Sequence, residues 1–155
     1  MKFGVDIPFV HHLGFDLVLF EGGHSQIDYE PRPEHLNSFD VTHGGACMTL
    51  LDVTMATAAR SVQQDMGVVT IEMKTSFMQA AQGPLVAKGR LIHRTATMAF
   101  TEATVFDAKG RWRGSIAIAG ASAELPAQPG PQQLAWLTSA AAEASRLLGW
   151  RGGRI

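Results

Sequence analysis

Residues 37–60, NSFDVTHGGACMTLLDVTMATAAR, constrain this chain more than any other stretch. A turn-rich lead-in closes on His43-Gly44-Gly45, and about fifteen residues of helix formers and apolar groups follow. Asp52 is the single charge in the middle of that run. A carboxylate inside an otherwise apolar helix costs several kcal/mol when it is dry, so its presence demands a reason, and chemistry is the strongest one. The glycine pair is equally unusual. Glycine starts a helix poorly, but it lets another group approach the backbone closely. Thr42 is the expected N-cap, with the helix starting near residue 42 or 44. First-turn N–H groups lack internal partners and carry partial positive charge, so a Gly-Gly helix tip offers a place for negative charge developing on an oxygen.

The rest of the chain predicts strands around this helix. A short helix over residues 7–13 ends at Gly14. Phe15–Glu21 and residues 24–30 read as strands joined by Gly22-Gly23, and Pro31 and Pro33 stop the second. After the helix, residues 68–77 alternate most cleanly: Val69, Ile71, Met73, Thr75 and Phe77 against Thr70, Glu72, Lys74 and Ser76. Leu85–Arg94, residues 98–107 and residues 112–123 complete the set, with a turn at residues 107–110 that places Gly110 at positive φ. Two strands, one long helix and four more strands predict an α+β fold, an antiparallel sheet curled around a central helix. Domain boundaries are expected at 1–123 for this unit and 124–155 for a Pro/Ala linker, a second helix over residues 132–150 and a tail.

Composition narrows the function. The 155 residues are 46% apolar and 17% charged, which suits one greasy domain that hides surface in an oligomer. A net charge of −1 gives no global field for nucleic acid or a membrane. The charge is uneven, with ten acidic and three basic residues up to Glu72, then six basic against two acidic between Lys88 and Arg113. That second cluster reads as solvated strand faces or as a landing site for an anionic handle such as a nucleotide diphosphate. Cys47 stands alone, so no intramolecular disulfide forms, and it reads as a small buried apolar residue rather than a nucleophile. No run of about 18 apolar residues exists, the N-terminus lacks a signal-peptide core, and no His/Cys/Asp set has ligand spacing. A cytoplasmic protein without metal is expected.

Asn37, His43-Gly44-Gly45, Asp52 nine residues after the histidine, and the segment VTIEMKTSF at 69–77 resemble the hotdog-fold thioesterases, specifically the PaaI-like/4-hydroxybenzoyl-CoA thioesterase group. The resemblance covers roughly residues 7–123. It implies hydrolysis of an acyl-CoA, with coenzyme A as part of the substrate and no other cofactor. Asp52 would act as base or orient the attacking water, or attack directly as an acid at this position does in related enzymes. The Gly44 N–H would polarise the carbonyl, and Asn37 would help hold carbonyl or water. His43 would lie near the thioester oxygen or departing sulfur, Thr70 would help hold the water, and Gly45 would contact substrate. It further implies a homodimer, and beyond it a homotetramer, in which Asp52 and Thr70 of one subunit meet Asn37, His43 and Gly44 of the other. A glycine and a basic residue common in the family near residues 95–97 are missing, which leaves Arg90, Arg94 and Arg111 as candidates for the coenzyme A phosphates. Each residue also has a structural role open to it: Asn37 and the glycines in a turn, Thr70 in a strand, Asp52 as a satisfied carboxylate. A non-hydrolytic acyl-CoA or acyl-carrier-protein binding module on the same fold is the alternative. A hydratase would need a different Asp/His pattern on the helix.

Overall fold

The structure is a computed structural model that describes residues 3–107 and 109–111. These lie in the first compact unit of the chain, residues 1–121. The predicted strand at 112–123, the linker, the second helix and the tail lie outside the described residues.

Helix α1 (Pro8–Leu13) carries proline at its start, and Gly14 closes it in the left-handed region, φ 76°. Strands β1 (Phe15–Glu21) and β2 (His24–Tyr29) form a hairpin. Its turn residues Gly22 and Gly23 both have positive φ, the conformation that matches strand twist in a two-residue loop. A 3₁₀ turn at Pro33–His35 leads to helix α2 (Gly44–Arg60), and β3 (Leu85–Arg94) and β4 (Ala99–Asp107) follow. The four strands form one antiparallel sheet in the order β1-β2-β3-β4. Leu50, Leu51 and Met55 of α2 pack on its inner face with Leu17, Ile27, Leu85, Ala87, Ala103 and Val105. The predicted turn after β4 is present, with Gly110 at φ 72° and the Asp107 carboxylate accepting from the Lys109 and Arg111 N–H groups.

One crossing fixes the helix on the sheet. A Cβ on Gly89 would stand 2.7 Å from Ser25 Oγ and 2.9 Å from both Thr54 Cγ2 and Thr54 O. Ser25 Oγ of β2 donates to that same carbonyl at 2.6 Å, so α2 is hydrogen-bonded to β2 just where Gly89 of β3 lets its backbone come close. Gly89→Ala is therefore expected to cost about 1–3 kcal/mol by overpacking, read as a lower melting temperature.

Two expectations need correction. The N-cap of α2 is His43, not Thr42. His43 Nδ1 accepts the Gly45 N–H at 2.9 Å, and an imidazole nitrogen placed this way does the work expected of a hydroxyl. Residues 68–77 are not paired as a strand among the described residues. Met73 packs against the core, but Val69 is 87% exposed, and Ile71 and Phe77 are exposed too. The periodic pattern is real, yet much of its apolar face looks outward.

Candidate functional site

Helix α2 carries the site at two places along its length. At its tip, the first-turn donors can be followed one by one. The His43 N–H bonds to His35 O, the Gly45 N–H to the His43 ring, and the Ala46 and Cys47 N–H groups to His43 O. Among the described residues this leaves the Gly44 N–H without a hydrogen bond, at the positive end of a 17-residue helix. Gly44 lines a cleft of about 390 Å³ with Asn37, Thr42, Cys47, Leu51, Phe77 and Val105. The Phe77 ring lies close against it.

Asn37 reaches this cleft through a turn. Its Oδ1 accepts from the Phe39 N–H at 2.8 Å and the Val41 N–H at 3.4 Å, and its backbone pairs with Val41 and Asp40. The turn reading therefore holds, and with Oδ1 spent on backbone the amide NH₂ is the polar group Asn37 has left. His43 is exposed, and with Nδ1 accepting, its ring hydrogen sits on Nε2. Gly45 is exposed beside it.

Asp52 stands two turns further on, half-buried rather than dry. Thr70 Oγ1 donates to its Oδ1 at 2.5 Å. Both line a second cleft of about 190 Å³ with Met55, Ala56, Ala59 and Met98. No described cation pairs with this carboxylate. The eight residues from Gly44 to Asp52 span about 12 Å along the axis, too far for one water to touch both. One chain therefore brings Asn37 and Gly44 together, and Asp52 and Thr70 together, but not the two pairs.

Arg90, Arg94 and Arg111 do not converge on either cleft. Arg90 pairs with Glu102 on the sheet face away from α2, Arg94 donates to Gln63 Oε1, and Arg111 pairs with the Asp107 carboxylate at 2.8 Å. Each guanidinium has a local partner. Among the described residues no cluster of metal-ligating side chains occurs, and no helix is long and apolar enough to cross a membrane.

Burial sets the remaining chemistry. It pushes the Cys47 thiol up to about 11, so Cys47 is a thiol, not a thiolate, at neutral pH. His35, which sequence reading passed over, supports the tip from below: its Nδ1 accepts the Arg32 N–H at 3.2 Å and its carbonyl accepts the His43 N–H. Burial, and then the Arg32 charge, hold its pKa below the ordinary 6.5. Protonation is thus easier in the unfolded chain. Stability is full above about pH 6.5 and is lost as pH falls from there toward the lower native value, by at most about 1.4 kcal/mol per pH unit. His35→Gln is expected to flatten the melting temperature between pH 7 and 5 relative to the parent.

Residues 39–111 match the family model described as the thioesterase superfamily. The fold is the hotdog fold of the PaaI-like thioesterases. The E. coli PaaI protein, from the phenylacetic acid degradation operon, superposes with a TM-score of 0.68 at 17% identity, covering 74% of this chain and 82% of that one. A Streptococcus mutans protein solved with acetyl-CoA bound gives a TM-score of 0.61 at 25% identity, covering 68% and 85%. A Saccharolobus solfataricus protein named provisionally as an esterase is 28% identical over 100 residues, 64% of this chain and 71% of its own. Thioester hydrolysis is the general activity these likenesses support for the hotdog domain.

Proposed function

We propose that this protein hydrolyses acyl-CoA thioesters at sites shared between two copies of the chain. The unspent Gly44 N–H carries the reading: a lone donor at a helix tip, facing an apolar cleft, suits an oxygen that becomes negative during reaction. The thioester carbonyl oxygen would lie against that N–H and the Asn37 NH₂. Water activated by Asp52 of the other copy would attack the carbonyl carbon, its proton passing to the carboxylate oxygen that Thr70 does not hold. Collapse of the tetrahedral species breaks the C–S bond and releases the acid. The thiolate of coenzyme A takes up the proton held by Asp52, and the His43 Nε2–H would hydrogen-bond the departing sulfur.

The 12 Å gap within one chain favours this shared arrangement, and the outward apolar face of Val69 and Ile71, beside the Asp52 cleft, is where a second copy would find cover. The test is thiol release from a panel of aliphatic and aromatic acyl-CoAs, alongside sedimentation of the parent and of Val69→Asp. Expected are turnover by a dimer or larger assembly, and a monomeric, inactive variant. Tight acyl-CoA binding without turnover would instead favour the non-hydrolytic module.

A further inference from the structure

The cleft at the tip of α2 is lined mostly by apolar groups, with Asn37, Thr42 and Gln79 as polar exceptions, and no role so far accounts for Thr42. Thr42 lines it, two residues from Gly44, and is 4% exposed. Its Oγ1 makes no hydrogen bond among the described residues. The buried hydroxyls on α2 and against it behave differently, although that of Thr75 also lacks a partner among the described residues: those of Thr54 and Thr57 donate to carbonyls one turn back, Ser25 to Thr54 O, and Ser61 to Ala58 O. An orphaned buried hydroxyl costs about 1–3 kcal/mol, and such groups persist when something else completes them. The Thr42 backbone is pinned, its N–H donating to Ala81 O at 2.8 Å, so the side chain is held at the cleft wall.

A second orphan lies close by. The Tyr29 hydroxyl is buried without a partner among the described residues, and burial followed by the nearness of Cys47, itself a cleft residue, pushes it up to about 12. It therefore keeps its proton and remains a donor. Among the described residues one hydroxyl without a partner thus lines a cleft of ligand size that Cys47, Leu51, Phe77 and Val105 also line, and a second lies near Cys47.

We propose that this cleft receives the acyl half of the thioester, and that Thr42 is a specificity-determining residue whose hydroxyl bonds an oxygen substituent, hydroxyl or keto, on that acyl group. This rests on the hydrolase reading, which places the carbonyl at Gly44. An unsubstituted acyl group would leave the hydroxyl unsatisfied, and a site built to hydrogen-bond a substituent discriminates against analogues that lack it. An alkyl chain and an aryl ring could both present such an oxygen, so both frames are tested.

The experiment compares kcat/KM for two matched pairs, 3-hydroxyoctanoyl-CoA with octanoyl-CoA and 4-hydroxyphenylacetyl-CoA with phenylacetyl-CoA. Parent, Thr42→Val and Thr42→Ser are measured, with melting temperatures to establish folding. The parent is expected to prefer the oxygenated member of at least one pair about tenfold or more. Thr42→Val, nearly the same shape, should bring that ratio near unity, and Thr42→Ser should restore it. No preference in either pair, or a preference that Thr42→Val leaves in place, overturns the proposal, as does an equal loss on all four substrates. An ordered water completing Thr42 would give one of those results. Hydrolysis of the unsubstituted substrates that Asp52→Asn abolishes would keep the hydrolase reading standing even then. Absence of any hydrolysis would remove both.

Discussion

Asp52→Asn is expected to lower kcat about 10²–10⁴-fold while leaving KM within a few-fold of the parent. The amide keeps the shape of the carboxylate and can still accept from Thr70 Oγ1, so the local geometry of the second cleft survives. What it loses is the ability to take a proton from water. A residue engaged mainly in the transition state shows this split between kcat and KM, whereas one that only held the fold would move the melting temperature first. Unchanged kcat in Asp52→Asn would show that Asp52 is not the base, whereas absence of turnover in the parent itself would return the domain to the binding reading.

Gly44→Pro should be nearly as damaging by a different route. Proline is welcome at the first position of a helix, because the N–H it removes has no helical partner there. His43, with φ −57° and ψ 136°, already has the extended backbone that a residue before proline needs. The nearest atom to an added Cβ is the Phe77 ring at 3.4 Å, an ordinary contact. The substitution deletes one donor and little else, so a loss of about 10²–10³-fold in kcat with an unchanged melting temperature is expected. The two variants together test the shared site. Mixed and re-equilibrated, Asp52→Asn and Gly44→Pro chains form hybrids in about half of the dimers, each hybrid with one intact site of two, so activity should recover to about a quarter of the parent. No recovery would place base and donor on the same chain.

Local chemistry was legible in the sequence wherever the partner of a group lies nearby in the chain. The Gly22-Gly23 hairpin, the Gly14 stop and the Gly110 turn follow from glycine's freedom at positive φ and are found as expected. The central helix was legible from its apolar run, its start to within two residues. The cap residue was misassigned because a histidine ring replaced the usual hydroxyl, and no pattern marks that exchange. Residues 68–77 show the limit of periodicity: alternation says that one face wants cover, not which surface gives it. The basic cluster stayed open between solvated strand faces and an anion site for a related reason. Counting charges cannot reveal that Glu102, Gln63 and Asp107 already engage Arg90, Arg94 and Arg111. Thr42 was read as a cap, and only the fold exposes it as a buried hydroxyl without a partner among the described residues.

The span between Gly44 and Asp52 has a consequence for how much work each molecule does. If a base and a donor held at opposite ends of two helical turns act only when chains meet, turnover per milligram should decline on dilution through the association constant, in proportion to concentration at the lowest concentrations, where the total rate becomes quadratic. Scarcity of the protein would then silence it more steeply than its copy number alone predicts.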